Sequence, residues 1–263
     1  MKAAWSLALI LVFAGGAQAA VVGEEVTYQA GGTTMKGYLA YDDAVKGKRP
    51  GVLVVHEWWG HNDYARMRAR MLAEMGYTAL AVDMFGDGKT ADHPDDAGKF
   101  ATAVNSDMAA RRARFIAARK LLAGHKTVNG QRIAAIGYCF GGGVVLAMAR
   151  EGVKLDGVAS FHGSLATNTP ARTGQVKAKV LVLTGAADPM APSETVEKFK
   201  QEMSAAKVDH KVVVYPGARH SFTNPDATAF GEKFGMPLAY DAAADKESWA
   251  ELDKFLKKVF GRK

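Results

Sequence analysis

The apolar positions change period along the chain. Residues 25–29 and 35–39 alternate polar with apolar on either side of Gly31-Gly32, which predicts an N-terminal β-hairpin. Beyond it, short continuous apolar runs are separated by amphipathic stretches. Residues 52–55 predict a strand, 65–75 a helix closed by Gly76, and 77–82 a second strand. Helical periodicity at 94–104 and 107–122 leads to a strand at 132–136 and a helix over 142–150. Further strands are expected at 157–161, 179–184 and 211–215, and helices at 192–206 and 248–260. This repeated β-α-β order predicts one α/β domain, a mostly parallel sheet covered by helices on both faces. Met67, Met71 and Met75, four residues apart, are expected to mark the core face of their helix.

The first 19 residues follow another pattern. One cation, Lys2, precedes an apolar run over 7–13 and small residues ending Ala17-Gln18-Ala19, the arrangement of a secretory signal peptide cleaved before Ala20. The run is too short to span a bilayer, so residues 20–263 are expected in the periplasm or secreted, with no stable membrane anchor. The chain of 263 residues carries 34 basic and 27 acidic side chains, a net charge of +7 that loss of Lys2 lowers to +6. The excess is modest and lies at helical spacing, in Arg66, Arg68 and Arg70 and in Arg111, Arg112, Arg114, Arg119 and Lys120. Without interleaved aromatics or a nucleic-acid motif these read as solvated helix faces, and no nucleic-acid partner is expected. Exported proteins usually pair their cysteines, yet Cys139 has no second cysteine to join, so the thiol needs another reason.

Gly137-Tyr138-Cys139-Phe140-Gly141 supplies one, because it follows a predicted strand and precedes a predicted helix. That is the context of a nucleophile elbow, where flanking glycines clear space for a sharp turn and the residue after the nucleophile gives its N–H to an oxyanion. The same turn puts Cys139 at a helix N-terminus, which favours thiolate. Asp188 follows the strand at 179–184 and His220 the strand ending at Tyr215, so both occupy loops at carboxyl ends of parallel strands. The order nucleophile, acid, histidine is that of α/β-hydrolases. A second oxyanion donor is expected in the loop after residues 52–55, and the Trp58 N–H is the candidate. Glu57 in that loop is expected near Cys139, where a carboxylate can take or hold the thiol proton. Trp58 and Trp59 can line an apolar acyl pocket or simply pack, and Tyr138, Phe222 and Asn224 join Trp59 as candidates for a substrate pocket.

Other signals fail. His56-Glu57-Trp58-Trp59-Gly60 lacks the second histidine at i+4 that a zinc-protease helix requires, so no metal is expected. Residues 86–90 end like a phosphate-binding loop but have Asp83 where its first glycine must stand.

With His56-Glu57, Gly137 to Gly141, Asp188, and Gly217, His220 and Phe222 in a Gly-x-x-His-x-Phe pattern, the chain resembles the dienelactone hydrolase family from about residue 26 to residue 260. The resemblance implies an α/β-hydrolase fold, a Cys139-His220-Asp188 triad assisted by Glu57, oxyanion donors at the Trp58 and Phe140 backbone, and cofactor-free hydrolysis of lactones or other esters. It also implies two carboxylate-holding arginines, but Asp87 and Asn224 occupy those positions, which argues for a general ester or lactone rather than dienelactone. Two rivals use the same residues: a thioesterase, and a non-catalytic protein that binds a ligand or senses oxidants through Cys139.

Overall fold

The computed structural model describes residues 21–261, so the leader expected over residues 1–19 lies outside the described residues. Val21–Ala30 (β1) and Thr33–Asp42 (β2) form the hairpin, turning at Gly31 and Gly32, both at positive φ. Arg49–Val55 (β3), Asp63–Glu74 (α1) and Thr78–Val82 (β4) make the first crossover unit. Pro94–Ser106 (α2) and Met108–Gly124 (α3) precede Val128–Tyr138 (β5), and Phe140–Arg150 (α4) precedes Gly157–Phe161 (β6). Lys179–Gly185 (β7), Ser193–Ala205 (α5), His210–Tyr215 (β8), Ala227–Phe234 (α6) and Ala242–Phe260 (α7) complete the order. The eight strands form one sheet in the order β1-β2-β4-β3-β5-β6-β7-β8, antiparallel at β1, β2 and β4 and parallel from β4 through β8.

Strand alternation divides the core into two layers. Leu53, Val55, Ile133 and Ala135 face Phe115 and Leu122 of α3, Val144 and Met148 of α4, and Phe199 of α5. Val52, Val54, Ala134 and Ile136 face Ala65, Ala69 and Leu72 of α1 and Leu252, Leu256 and Phe260 of α7. Both faces of the central strands are therefore buried, which is why they read as continuous apolar runs.

Two sequence expectations for α1 are corrected. Its buried face is Tyr64, Ala65, Arg68, Ala69, Leu72 and Ala73, while Met67 is 37% exposed and the methionine stripe flanks the contact. Small alanines let the helix approach the sheet closely, a role the longer methionines cannot fill. Arg68 is no solvated cation either: it is fully buried, sits over the rings of Tyr64, Tyr138 and Trp249, and pairs with Asp245 at 2.6 Å. α6 had no clear sequence signal, and α7 begins six residues before the predicted 248.

Backbone meets backbone closely at the C-terminal ends of β3 and β5. A Cβ at Gly137 would lie 2.1 Å from the Gly141 carbonyl oxygen, and one at Gly141 would lie 2.3 Å from that of Val55. Gly141→Ala is therefore expected to lower unfolding free energy by about 3 kcal/mol through overpacking against backbone that cannot yield. Gly98→Ala, within α2 with nothing within 4 Å, is expected to raise it by about 0.5–1 kcal/mol from helix propensity. Chemical denaturation of both variants checks the contrast.

Candidate active site

Cys139 joins β5 to α4 at φ 51°, ψ −114°, a main-chain conformation rare for any residue with a side chain. Its N–H points at the Phe161 carbonyl (3.0 Å) and at Nδ1 of His162 (3.1 Å), and its carbonyl accepts from the Gly143 N–H. Phe140, the next residue, opens α4, where a first-turn N–H has no intrahelical acceptor.

Three side chains from three strand ends converge here. His220, after β8, places Nε2 3.1 Å from the Cys139 sulfur and Nδ1 2.8 Å from Oδ2 of Asp188, which follows β7. Asp188 is anchored in turn, because its Oδ1 accepts the Met190 N–H. Burial alone would lower the His220 pKa, but the negative charge of Cys139 and the hydrogen bond to Asp188 outweigh it and push it up to about 10.

Glu57 lies in the loop after β3, buried. Its Oε1 accepts from the Ser221 hydroxyl (2.8 Å) and its Oε2 from the Asn224 amide (2.5 Å), so both oxygens are turned toward the histidine loop rather than to the thiol. Burial pushes its pKa up, against the two hydrogen bonds and the charges of His220 and Arg68. The Glu57 carbonyl accepts from His56 Nδ1 and from the Gly60 N–H. Because a trans peptide sets C=O and N–H on opposite sides, this turns the Trp58 N–H away from His56. The other His56 ring nitrogen accepts the Met84 N–H, so both are committed to backbone, and the ring stacks on Phe140.

A cavity of about 340 Å³ opens at the sulfur, bounded by Trp58, Phe140, Met190, His220, Met236 and Leu238 among others. The four other pocket candidates lie outside it. Trp59 packs on Phe230 and Phe234. Tyr138 is buried beneath the elbow, stacked on Phe161 and covered by Arg68, because strand alternation turns it away from the side of Cys139. Phe222 is enclosed by Tyr215 and His162, and Asn224 is occupied by Glu57 and by the Asp226 N–H. Adjacency in sequence to a site residue did not translate into exposure to the cavity. Asp87 is exposed and pairs with Lys89.

Sequence reasoning missed His162, which sits at positive φ at the end of β6. Its Nδ1 accepts from Cys139, so its proton is on Nε2, which donates to the Thr223 hydroxyl at 2.7 Å; that hydroxyl lies 2.6 Å from the Tyr64 hydroxyl. Burial, then the charges of His220 and Arg68, hold the His162 pKa well below its usual value. A neutral ring thus braces the backbone of Cys139 and meets His220 edge to face. Ser221 and Arg68 were missed too. No motif marks these residues, though His162 stands directly after a predicted strand, a position that could have flagged it.

The Cys139 charge is the largest contribution raising the His220 pKa, so Cys139→Ser is expected to drop the imidazole titration well below 10. An NMR pH titration of the His220 ring protons reads this; an unchanged midpoint would contradict the coupling of His220 to the Cys139 side chain.

The Dienelactone hydrolase family model matches residues 35–260. "Protein usf" of Aquifex pyrophilus is 29% identical over 208 residues, covering 77% of this chain and 88% of that protein. The protein named "Putative carboxymethylenebutenolidase" of Escherichia coli strain K12 is 27% identical over 257 residues, covering 93% and 90%. Among solved structures, a dienelactone hydrolase-like promiscuous phosphotriesterase from metagenomic libraries superposes with a TM-score of 0.84 at 37% identity, over 91% of this chain and 99% of that one. An esterase of Thermogutta terrifontis, at 20% identity and a TM-score of 0.64, shares the α/β-hydrolase fold over 90% of this chain and 94% of its own. With its strand order, its elbow and a family match over most of its length, this chain belongs to the dienelactone hydrolase family.

Proposed function

We propose that this protein hydrolyses carboxylic ester or lactone bonds through an acyl-thioenzyme on Cys139. The observation that carries the reading is the 3.1 Å approach of His220 Nε2 to the sulfur, with Asp188 behind the ring. In this mechanism the Cys139 thiolate adds to the carbonyl carbon, and the oxyanion accepts hydrogen bonds from the Trp58 and Phe140 N–H groups. Collapse breaks the bond to the alcohol oxygen, which takes its proton from the His220 imidazolium. Water then attacks the thioester while His220 accepts its proton, and expulsion of the thiolate releases the acid and restores the ion pair. Asp188 keeps the imidazole in the orientation both steps need. Glu57, hydrogen-bonded to Ser221 and Asn224, acts on the thiol indirectly, by holding the loop that carries His220.

Asp87 and Asn224 at the positions of the family's carboxylate-holding arginines, together with the apolar wall of Met190, Met236 and Leu238, favour an ester or lactone with an uncharged acyl group. The leader-like pattern of residues 1–19 supports export to the periplasm or beyond. A cysteine used for oxidant sensing would not require a histidine–aspartate pair aligned on it, which favours catalysis over the sensor or pure binding protein.

Cys139→Ala is expected to abolish turnover of short nitrophenyl esters while the melting temperature shifts little, since the side chain is small and only partly buried. Retained turnover would overturn the nucleophile. Glu57→Gln is expected to leave a folded protein whose Cys139 is alkylated by iodoacetamide several-fold more slowly, and unchanged kinetics would remove Glu57 from the mechanism.

A further inference from the structure

Five non-glycine residues among those described hold a positive φ, and three of them, Cys139, His162 and Ser221, cluster at this site. They follow three different strands, β5, β6 and β8. Strain of this kind persists where neighbouring contacts over-determine it, and it gathers at functional sites. At Cys139 it lifts the sulfur from the strand, and at Ser221, beside His220, it accompanies the hydrogen bond to Glu57. His162 has no such duty in the mechanism above, because it is fully buried and does not line the cavity. A glycine would hold its φ of 38° at lower cost, so the side chain is what this strained position carries.

The ring joins two segments that the sheet leaves unlinked. Strands β6 and β7 lie between the strand before Cys139 and the strand before His220. The Cys139 N–H faces the Phe161 carbonyl at 3.0 Å, which continues the β5–β6 ladder, and His162 Nδ1 is a second acceptor at 3.1 Å, beyond the ladder. From its other nitrogen, His162 donates to the Thr223 hydroxyl at 2.7 Å, in the loop that carries His220. Thr223 is held in turn, its hydroxyl 2.6 Å from that of Tyr64 and its carbonyl accepting from Arg68 Nη2 at 2.6 Å. The ring also meets His220 and Phe222 of the same loop, at centroid distances of 5.4 and 5.3 Å. One tautomer alone serves both hydrogen bonds, with Nδ1 bare and Nε2 protonated, since a proton on Nδ1 would set N–H against the N–H of Cys139.

Resting on the hydrolase reading above, we propose that His162 is a positioning residue for the reaction: its single tautomer ties the Cys139 main chain to the loop carrying His220 and so sets the approach of His220 Nε2 to the sulfur. It touches neither the substrate cavity nor the reacting atoms. Its loss therefore acts on kcat, while the cavity walls that hold the substrate stay in place.

The test begins with the wild type, in which NMR of the nitrogen-15-labelled imidazoles near neutral pH is expected to show His162 neutral and protonated on Nε2; an Nδ1-protonated or doubly protonated ring overturns the proposal. His162→Phe then keeps an aromatic ring beside His220 and removes both hydrogen bonds, and His162→Asn puts an amide oxygen near the place of Nδ1. Thr223→Val removes the hydroxyl alone and serves if the phenylalanine variant does not fold. His162→Phe and Thr223→Val are expected to lower kcat for p-nitrophenyl butyrate by about tenfold or more with KM within about twofold, and His162→Asn to recover about threefold or more of the loss in His162→Phe. Unchanged kcat in the folded variants, or a loss carried by KM, overturns the proposal. Alkylation of Cys139 by iodoacetamide reads the same alignment without ester chemistry and is expected to slow in parallel. A wild type that leaves the ester intact would defeat the hydrolase reading, whereas alkylation rates unchanged in both variants would defeat the positioning role alone.

Discussion

The main chain at Cys139 turns through φ 51° and ψ −114°, a conformation that costs on the order of 1–3 kcal/mol at a residue with a Cβ and persists where the surroundings over-determine it. Here they do so from three sides. The N–H is shared by Phe161 and His162, Gly141 donates to the carbonyl of His56, and Gly137 and Gly141 pack against backbone with no room for a side chain. The cost is met by sheet and loop contacts away from the sulfur. What it provides is a thiol lifted clear of the strand, at the start of α4, facing His220.

A second, polar layer lies below the elbow. Arg68 reaches from α1 to Asp245 in α7 and to the Thr223 carbonyl in the histidine loop, while Tyr64, Thr223 and His162 carry hydrogen bonds up to the Cys139 N–H. A buried ion pair of this kind adds little net stability, since desolvation offsets much of its attraction. Its contribution is to hold the loop at 220–224 in register with the elbow. Ser221 and Asn224 of that loop also hold Glu57, so Cys139, His220 and Glu57 are referenced to one buried cation.

The elements that sequence made legible are those whose signal is local. The elbow needs glycines at fixed offsets from Cys139, and buried parallel strands need unbroken apolar runs; both can be read in order along the chain. Asp188 and His220 were legible because topology places the carboxyl ends of parallel strands together. The remainder depends on contacts between distant segments. Arg68 looks like a surface cation until Tyr64, Tyr138 and Trp249 are brought around it. His162 has its partners in β5 and in the loop after β8, and the cavity walls Met190, Met236 and Leu238 come from loops whose paths no periodicity encodes. Tyr138, Phe222 and Asn224 do not face the cavity for the same reason, because position along the chain does not tell which way a side chain faces.

The proposed mechanism passes through a covalent acyl-thioenzyme, and that species can be weighed. Rapid mixing of the protein purified without its first 19 residues with excess p-nitrophenyl butyrate, quenched in acid and analysed by intact mass and peptide mapping, is the most direct measurement. The account predicts a burst of about one nitrophenolate per chain and a butyryl adduct on the peptide containing Cys139. Steady turnover with no burst and no adduct at any quench time, or an adduct on another residue, would contradict it.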